Sequence, residues 1–272
     1  MSKLKKWERK SPTVFSVAAL VLYTILFISV SIFSTVFIKI DNYYLSFAVN
    51  EALEAVVSVA FLIVSGRGKS VFKSRKGFFG SLFVGMYEIV LLILSFSGAY
   101  YTNAAEKLES LGNIIIFTVC MLLVGVTEEV FFRGVIADIF LENYGKDRKG
   151  VILSVAASGL IFGLFHITNL GAGIGLFGVL IQIAQAAILG MFFGAVYMRT
   201  HNIFTVIFLH AAMDFVSLSA SGLWGIGTVE SSIDGFGVMN LLPLIVYLIP
   251  TIFIMRFSKL DEYLAQRNSL QK

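Results

Sequence analysis

Long apolar stretches separated by short polar segments dominate the pattern along this chain. A helix needs about 17–25 apolar residues to cross a bilayer. Eight stretches come near that length, at about residues 14–38, 43–64, 78–100, 113–140, 151–167, 176–198, 203–219 and 241–257. The first is longer than a signal-peptide core, and we interpret it as a retained helix, whereas Pro243 and Pro250 are expected to kink the last. The pattern predicts an all-α, polytopic integral membrane protein with about eight transmembrane helices.

Composition agrees with this prediction and excludes a large water-soluble domain. Of the 272 residues 57% are hydrophobic and 14% are charged, and the mean hydropathy is +0.87. This is more apolar surface than a soluble globular domain can cover with polar groups. We see no internal repeat and no low-complexity linker, so residues 1–272 are predicted to form one membrane domain. The single cysteine, Cys120, has no partner for an intramolecular disulfide.

The positions of the basic residues predict the orientation, because cytoplasmic loops carry an excess of Lys and Arg. With a cytoplasmic amino terminus and alternating helices, the inner segments hold the bases of Lys3–Lys10, Arg67–Lys76, Lys146–Lys149, Arg199 and Arg256–Lys272. The outer loops hold only Lys39 and Lys107. Both termini are therefore predicted to be cytoplasmic. The net charge of +4 follows from this arrangement and does not indicate a nucleic-acid partner.

Two adjacent acids and a base lie inside the fourth stretch, as Glu128-Glu129-x-x-x-Arg133. Ionisable groups at membrane depth are costly and are functional candidates. Glu129 and Arg133 are four residues apart with the acid first, the favourable order for an ion pair on a helix. Glu128 points about 100° away, and an unpaired, desolvated carboxylate suits a general base or acid near neutral pH. A buried structural network of all three residues explains the stretch equally well.

Two histidines also lie in apolar stretches, as Phe162-x-x-x-His166 in the fifth and His210-x-x-x-Asp214 in the seventh. A lone histidine in an apolar helix is usually a packing residue, but two of them together with the acidic helix are harder to explain in that way. His210 and Asp214 lie one turn apart, so the acid can orient the imidazole or bind a ligand itself. His201, in a short loop, is interpreted as a solvated interface residue.

In this order, the three motifs resemble those of the CAAX protease and bacteriocin-processing (CPBP, or Abi) family, which includes the Ras-converting CAAX endopeptidases. The resemblance covers about residues 113–219, and the remaining helices match only by count and topology. It implies an intramembrane protease that acts on peptide or protein substrates at the lipid bilayer, with an active site facing the cytosolic side. The compact chain with bare loops indicates a bacterial plasma membrane, where peptide pheromone or bacteriocin precursors are the expected substrates.

By this resemblance Glu128 and His166 activate a water molecule for attack on the scissile carbonyl. Glu129 with Arg133 supports the site. The shared role of Glu128 and His166 raises one geometric difficulty. When each residue is placed along its own straight helix in a bilayer core of about 30 Å, the two differ in depth by about 10 Å. Helix tilt, a late start to the fifth helix or a thinned bilayer is needed to bring them together.

The third motif is implied to stabilise the oxyanion, and here the sequence departs from the commoner family pattern. The position often held by asparagine, a donor, is Asp214, which when ionised only accepts. We therefore expect His210 to donate to the oxyanion and Asp214 to hold its tautomer or its charge.

Two versions of this chemistry fit the sequence. A glutamate-type protease needs no cofactor. A zinc enzyme of the thermolysin kind uses two histidines, a glutamate and a water. The candidate zinc ligands are Glu128, His166, His210 and Asp214. Against zinc, the chain has no His-Glu-x-x-His pair, and the two motif histidines come from separate helices.

Two functions of other classes also fit the chain. A bacteriocin-immunity or export-regulating membrane scaffold would keep the fold without requiring cleavage. A proton- or ion-coupled transporter would relay protons through its intramembrane residues, although no inverted repeat is visible. The relay residues would be Glu51, Glu54, Glu88, Glu128 and His166.

Overall fold

The computed structural model describes residues 3–74 and 76–270. Every regular element in these residues is helical, which confirms the predicted all-α class. Two of the bases used to orient the chain, Arg75 and Lys272, lie outside the described residues.

The helices follow one another through short connections. In chain order they are α1 (Lys3–Lys10), α2 (Pro12–Phe37), α3 (Tyr43–Val64), α4 (Gly68–Val71), α5 (Phe78–Val84), α6 (Met86–Thr102), α7 (Leu111–Phe131), α8 (Asp138–Tyr144), α9 (Arg148–Phe165), α10 (Leu176–Thr200), α11 (Ile203–Ser217), α12 (Ser219–Trp224), α13 (Val229–Asp234), α14 (Leu242–Ile254) and α15 (Phe257–Leu270). A π-helical segment, Phe132–Ala137, joins α7 to α8 without a break. Two 3₁₀ segments, His166–Ala172 and Val238–Leu241, follow α9 and precede α14.

Among the described residues, five helices are long and apolar enough to cross a membrane: α2, α3, α7 continued through α8, α9 continued to Ala172, and α10. Two bent pairs raise the number to seven if each is one span. In the first pair α5 and α6 are bent by 75°, and in the second the helix over 238–254 and α15 are bent by 54°. The remaining predicted span, α11, has 15 residues, fewer than the roughly 20 of a straight crossing. The structure thus supports five to seven spans by length and composition, and the predicted count of eight requires α11 as well.

The last bent pair departs from the kink predicted at its prolines. Pro243 lies in the first turn of α14, where the missing N–H would have no helical partner in any case. It therefore begins the helix and does not kink it. Pro250 lies inside α14, and the break between the two helices follows four residues later, after Ile254.

The ends of the helices gather at two rims, and polar contacts link the segments within each. We call the first the basic rim; it comprises residues 3–11, 65–74, 76–77, 138–149, 199–202 and 255–267. There Arg67, which is 2% exposed, donates to both carboxylate oxygens of Glu8 at 2.7 and 2.8 Å, and its Nε lies 3.2 Å from Asp138. Arg148 makes a two-pronged contact with Asp261 at 2.7 Å.

We call the second the opposite rim; it comprises residues 38–44, 103–113, 166–175 and 218–241. The Tyr43 hydroxyl donates to Glu230 at 2.9 Å, and the amide of Asn42 donates to Asn113 at 3.0 Å. The backbone N–H of Glu109 donates to the carbonyl of Leu223 at 2.8 Å. Because each connection between long helices joins one rim or the other, successive long helices run in opposite directions across the bundle.

Glycines let the helices that carry the candidate residues approach closely. Helix α7 packs against α3 and α11, and α10 packs against α9 and α14. A Cβ atom on Gly125 would lie 2.8 Å from the carbonyl oxygen of Ile207, and one on Gly163 would lie 2.5 Å from that of Ile183. Larger residues do not fit at these crossings without a shift, as is common where membrane helices pack through small residues. The first crossing joins α7 and α11, which carry the first and third motifs, and the second joins α9, which carries the second motif, to α10.

Candidate active site

A buried ion pair marks the end of α7 and the start of the π-helical segment. Glu129 Oε1 lies 2.8 Å from Arg133 Nη1, and both side chains are fully buried. This confirms the pair predicted from the spacing of four residues. Arg133 Nη2 also donates to the carbonyl oxygen of Gly190 at 3.2 Å, so the charge contacts α10 as well. A buried charge without these partners would be strongly destabilising.

The same carboxylate of Glu129 binds His210. Its Oε1 lies 2.7 Å from His210 Nδ1. Because Glu129 is paired with Arg133 as a carboxylate, it only accepts, and Nδ1 must therefore carry the hydrogen. From the sequence, Asp214 was expected to orient this ring, and no contact between His210 and Glu129 was predicted. Residues 81 positions apart carry no local signal of such a contact.

The other ring nitrogen of His210 faces two carboxylates. Nε2 lies 3.5 Å from Glu128 Oε2 and 3.4 Å from Asp214 Oδ2. A bare lone pair on Nε2 between two ionised carboxylates would be repulsive, since all three groups would only accept. At least one proton must therefore reside among Nε2, Glu128 and Asp214. This group can hold a proton at the site and release it during a reaction.

His166 is positioned by its own helix end. It begins the 3₁₀ segment after α9, and its Nδ1 lies 3.0 Å from the carbonyl oxygen of Phe162. A carbonyl only accepts, so Nδ1 carries the hydrogen and Nε2 is left as an acceptor. The Phe162 ring has edge contacts with His166 and His210, at centroid separations of 5.0 and 5.8 Å, and Arg133 lies over it at 4.4 Å. Phe162 therefore touches a residue of each of the three motifs, a role that spacing alone did not indicate.

A cavity of about 930 Å³ contains the candidate catalytic groups in its wall. Glu128, His166, His210 and Asp214 all line it, whereas Glu129 and Arg133 do not. Glu128 and His166 therefore border the same cavity. Four residues of the predicted set face the cavity and two support them from the packed interior.

Amide side chains form a further part of the wall that the sequence analysis missed. Asn169, Gln182 and Gln185 line the cavity. The Asn169 amide donates to Gln182 at 2.8 Å, and the Gln185 amide donates to the carbonyl oxygen of Asn240 at 2.6 Å. Gln182 and Gln185 are polar residues three positions apart in an apolar helix, a signal that the search for charged residues passed over.

The other ionisable residues in the apolar stretches separate into two groups. Glu51 lines the cavity, but Glu54 and Glu88 do not. Glu54 accepts from Ser31 and Asn50 at 3.1 and 2.9 Å. Glu88 accepts from Tyr247 at 3.0 Å. The five residues of the predicted proton relay therefore do not all border one space.

The interpretation of His201 as a solvated residue is wrong. Its side chain is 15% exposed, and its Nε2 lies 3.5 Å from Asp138 Oδ1. Its ring also stacks on Tyr197 at a centroid separation of 5.1 Å. The left-handed backbone of His201, with φ of 45°, turns the chain tightly between α10 and α11 and directs the ring toward the protein.

Among residues 3–74 and 76–270, no group of three or more His, Cys, Asp and Glu side chains could hold a metal ion. Nδ1 of His210 is bound to Glu129, and Nδ1 of His166 is bound to the carbonyl of Phe162, so in both rings Nε2 is the nitrogen available to a ligand.

Comparison with protein families places this site in a known context. Residues 110–216 match the family model described as type II CAAX prenyl endopeptidase Rce1-like. The matched segment contains all three motifs and is close to the predicted core of residues 113–219, which confirms the family resemblance. Searches of the curated proteins and of the solved structures returned no match.

Proposed function

We propose that this chain, whose residues 110–216 match the CAAX endopeptidase family model, is an intramembrane endopeptidase that cleaves membrane-associated peptides or proteins. The family implies a membrane endopeptidase, and the residue roles are our proposal. One observation carries it. Glu128, His166, His210 and Asp214 line a single cavity within a bundle of apolar helices.

The first step is attack by water on the scissile carbonyl carbon. Glu128 as a carboxylate takes one proton from the water, and Nε2 of His166 accepts a hydrogen bond from the other hydrogen. The bond between the water oxygen and the carbonyl carbon forms, and the carbonyl oxygen becomes an oxyanion. General-base assistance of this kind contributes typically about 10²–10⁴-fold to a rate.

His210 is the donor for the oxyanion. Its Nε2 carries the proton shared with Asp214, and Nδ1 is held by Glu129 at 2.7 Å, so the ring is oriented before the substrate arrives. A preorganised donor of this kind is worth about 10²–10³ in kcat. Glu129 and Arg133 act through His210 and are positioning residues.

Collapse of the tetrahedral intermediate completes the cycle. Glu128 gives the proton taken from water to the leaving nitrogen, and the C–N bond breaks. The products are a new carboxyl terminus and a free amine, and Glu128 returns to its carboxylate form. The amide groups of Asn169, Gln182 and Gln185 supply donors and acceptors in the cavity wall for the backbone of an extended substrate.

The test is cleavage of a quenched fluorescent peptide library by protein purified in detergent and reconstituted in lipid, with and without a chelator. We expect Glu128→Gln and His166→Ala each to reduce cleavage by at least about 100-fold. Glu88→Gln is the matched control, because Glu88 is also a buried intramembrane acid but lies outside the cavity wall. That variant should cleave at the wild-type rate.

Equal cleavage by wild type and Glu128→Gln would overturn the proposal. The scaffold alternative predicts a different result. Neither the detergent-purified nor the lipid-reconstituted protein would cleave any peptide, and immunity or export regulation in cells would be unchanged by Glu128→Ala. If the chelator abolishes cleavage by the wild-type protein, a metal takes part in activating the water.

A further inference from the structure

The cavity that holds the candidate catalytic groups is built from one half of the bundle. Helix α2 contributes residues near its carboxyl end, such as Ser34, and α3 contributes residues near its amino end, such as Tyr43. Helix α10 contributes its first half, and α11 contributes its second half from His210 onward. Each of these halves is the one that ends at the opposite rim.

The residues that line the cavity also lie toward one rim only. Ala172, Ile174, Glu230 and Asn240 of the opposite rim line the cavity, whereas no residue of the basic rim does. Towards the basic rim the bundle is filled by aromatic side chains. Tyr23, for example, is fully buried and stacks on the fully buried Phe131 at 3.7 Å, a packing that leaves no room for a peptide.

The charge distribution identifies which rim faces the cytoplasm. Of the 21 Lys and Arg residues in the sequence, only Lys39 and Lys107 belong to the opposite rim, and Arg133 lies inside the bundle. Of the other 18, 16 lie in the basic rim, and Arg75 and Lys272 lie outside the described residues. Positive residues concentrate in the cytoplasmic loops of membrane proteins.

We propose that the cavity opens on the extracytoplasmic side of the membrane and takes peptide segments exposed on that side. The substrates would then be exported or translocated peptides, or membrane-anchored segments that approach from the outer leaflet. This reverses the cytosolic opening implied by the family resemblance. That the cavity binds a substrate rests on the proposed function. The side of the membrane on which the cavity opens does not depend on that function.

Thiol labelling in cells tests the orientation directly. Cys120 is the one cysteine of the chain and is buried, so Cys120→Ala provides a thiol-free background. Three exposed residues then receive single cysteines. Ala172→Cys lies at the cavity mouth and Ser217→Cys lies on its wall, whereas Ser74→Cys lies in the basic rim.

With a membrane-impermeant maleimide on intact cells we expect Ala172→Cys and Ser217→Cys to be labelled. Ser74→Cys should be labelled only after permeabilisation. Labelling of all three proteins in denaturant establishes that each thiol is present and reactive. The reverse pattern, or labelling of both rims in intact cells, would overturn the proposal.

The result does not depend on catalysis. The same three cysteines placed beside Glu128→Gln should give the same labelling pattern. Absence of cleavage together with the expected labelling would refute the proposed protease function and support the extracytoplasmic opening of the cavity. Cleavage that requires Glu128, together with the reversed labelling pattern, would support the protease function and refute the extracytoplasmic opening.

Discussion

Glu129 Oε1 lies 2.7 Å from His210 Nδ1 and 2.8 Å from Arg133 Nη1, so one buried oxygen joins a histidine of the third motif to an arginine of the first. The contact makes the two motifs a single unit across α7 and α11. It also separates the residues that face the cavity from those that hold them in place. The predictions that follow test both groups and their surroundings.

Glu129→Gln should destabilise the protein and abolish cleavage. The change leaves Arg133 buried without its counter-charge, which costs about 3–5 kcal/mol, and weakens the hold on His210. Thermal unfolding in detergent and the initial cleavage rate measure the two effects. Glu129→Gln combined with Arg133→Gln should recover much of the stability, because no charge is then left unpaired, but it should not recover cleavage.

The matched control is Asp261→Asn, which breaks an ion pair whose side chains are about half exposed. Exposed pairs contribute little to stability because water screens them, so no measurable change is expected. Equal losses of stability in Glu129→Gln and Asp261→Asn would contradict the importance given to burial of the first pair.

Asp214→Asn should retain cleavage within about tenfold, whereas Asp214→Leu should lose about 100-fold or more. The asparagine keeps an oxygen that can accept from His210 Nε2, and its N–H₂ group can itself donate to an oxyanion. Leucine has a similar size but neither group. The comparison is made from kcat and KM on one peptide substrate, and equal activity of the two variants would remove Asp214 from the mechanism.

Gly163→Ala should reduce both stability and activity. Its new Cβ would lie 2.5 Å from the carbonyl oxygen of Ile183, so α9 and α10 must move apart, and overpacking of this kind costs about 1–3 kcal/mol. His166 is three residues away and would shift with α9. Gly98→Ala is the control, since nothing lies within 4 Å of its added Cβ, and alanine in a helix is favoured over glycine by about 1 kcal/mol.

The contact between Glu8 and Arg67 should make stability depend on pH at the basic rim. Burial raises the pKa of Glu8, but the hydrogen bonds and charge of Arg67 outweigh burial and hold the pKa below its ordinary value of 4.5. A pKa lowered by folding means that the stabilisation is present above the unfolded pKa and is lost as the pH falls through the folded pKa.

Wild type should therefore be more stable than Glu8→Gln at pH 7, by about 1–3 kcal/mol for hydrogen bonds to a charged group. This difference should begin to shrink as the pH falls below 4.5 and should disappear below the lower, folded pKa of Glu8. Unfolding midpoints of the two proteins between pH 7 and pH 3 measure the effect. A difference that is independent of pH would show that the carboxylate charge is not what stabilises the rim.

Much of the architecture could be predicted because membrane helices are governed by local rules. The second predicted span, residues 43–64, coincides with α3, since an apolar stretch in lipid must satisfy its backbone hydrogen bonds within itself. The pair of Glu129 and Arg133 followed from the rise and turn of one helix. Likewise, the basic rim was visible in the order of the Lys and Arg residues along the chain.

Contacts between helices were not predictable in the same way. The sequence analysis assigned His201 to solvent because it lies in a short loop, but its partner Asp138 comes from a distant helix. Spacing within each helix also did not show which of the candidate residues would border the same cavity. The tilt and rotation that produce these arrangements depend on how neighbouring helices pack.

Sequence alone determined the all-helical class, the family resemblance, the buried ion pair and the charge asymmetry of the loops. Each depends on composition or on spacing within one helix. Only the tertiary structure decided that His210 is held by Glu129, that Phe162 touches all three motifs and that residues of the opposite rim line the cavity. Close crossings at Gly125 and Gly163 set those relationships, because they fix the distance and rotation of helices whose contacting residues are far apart in the chain.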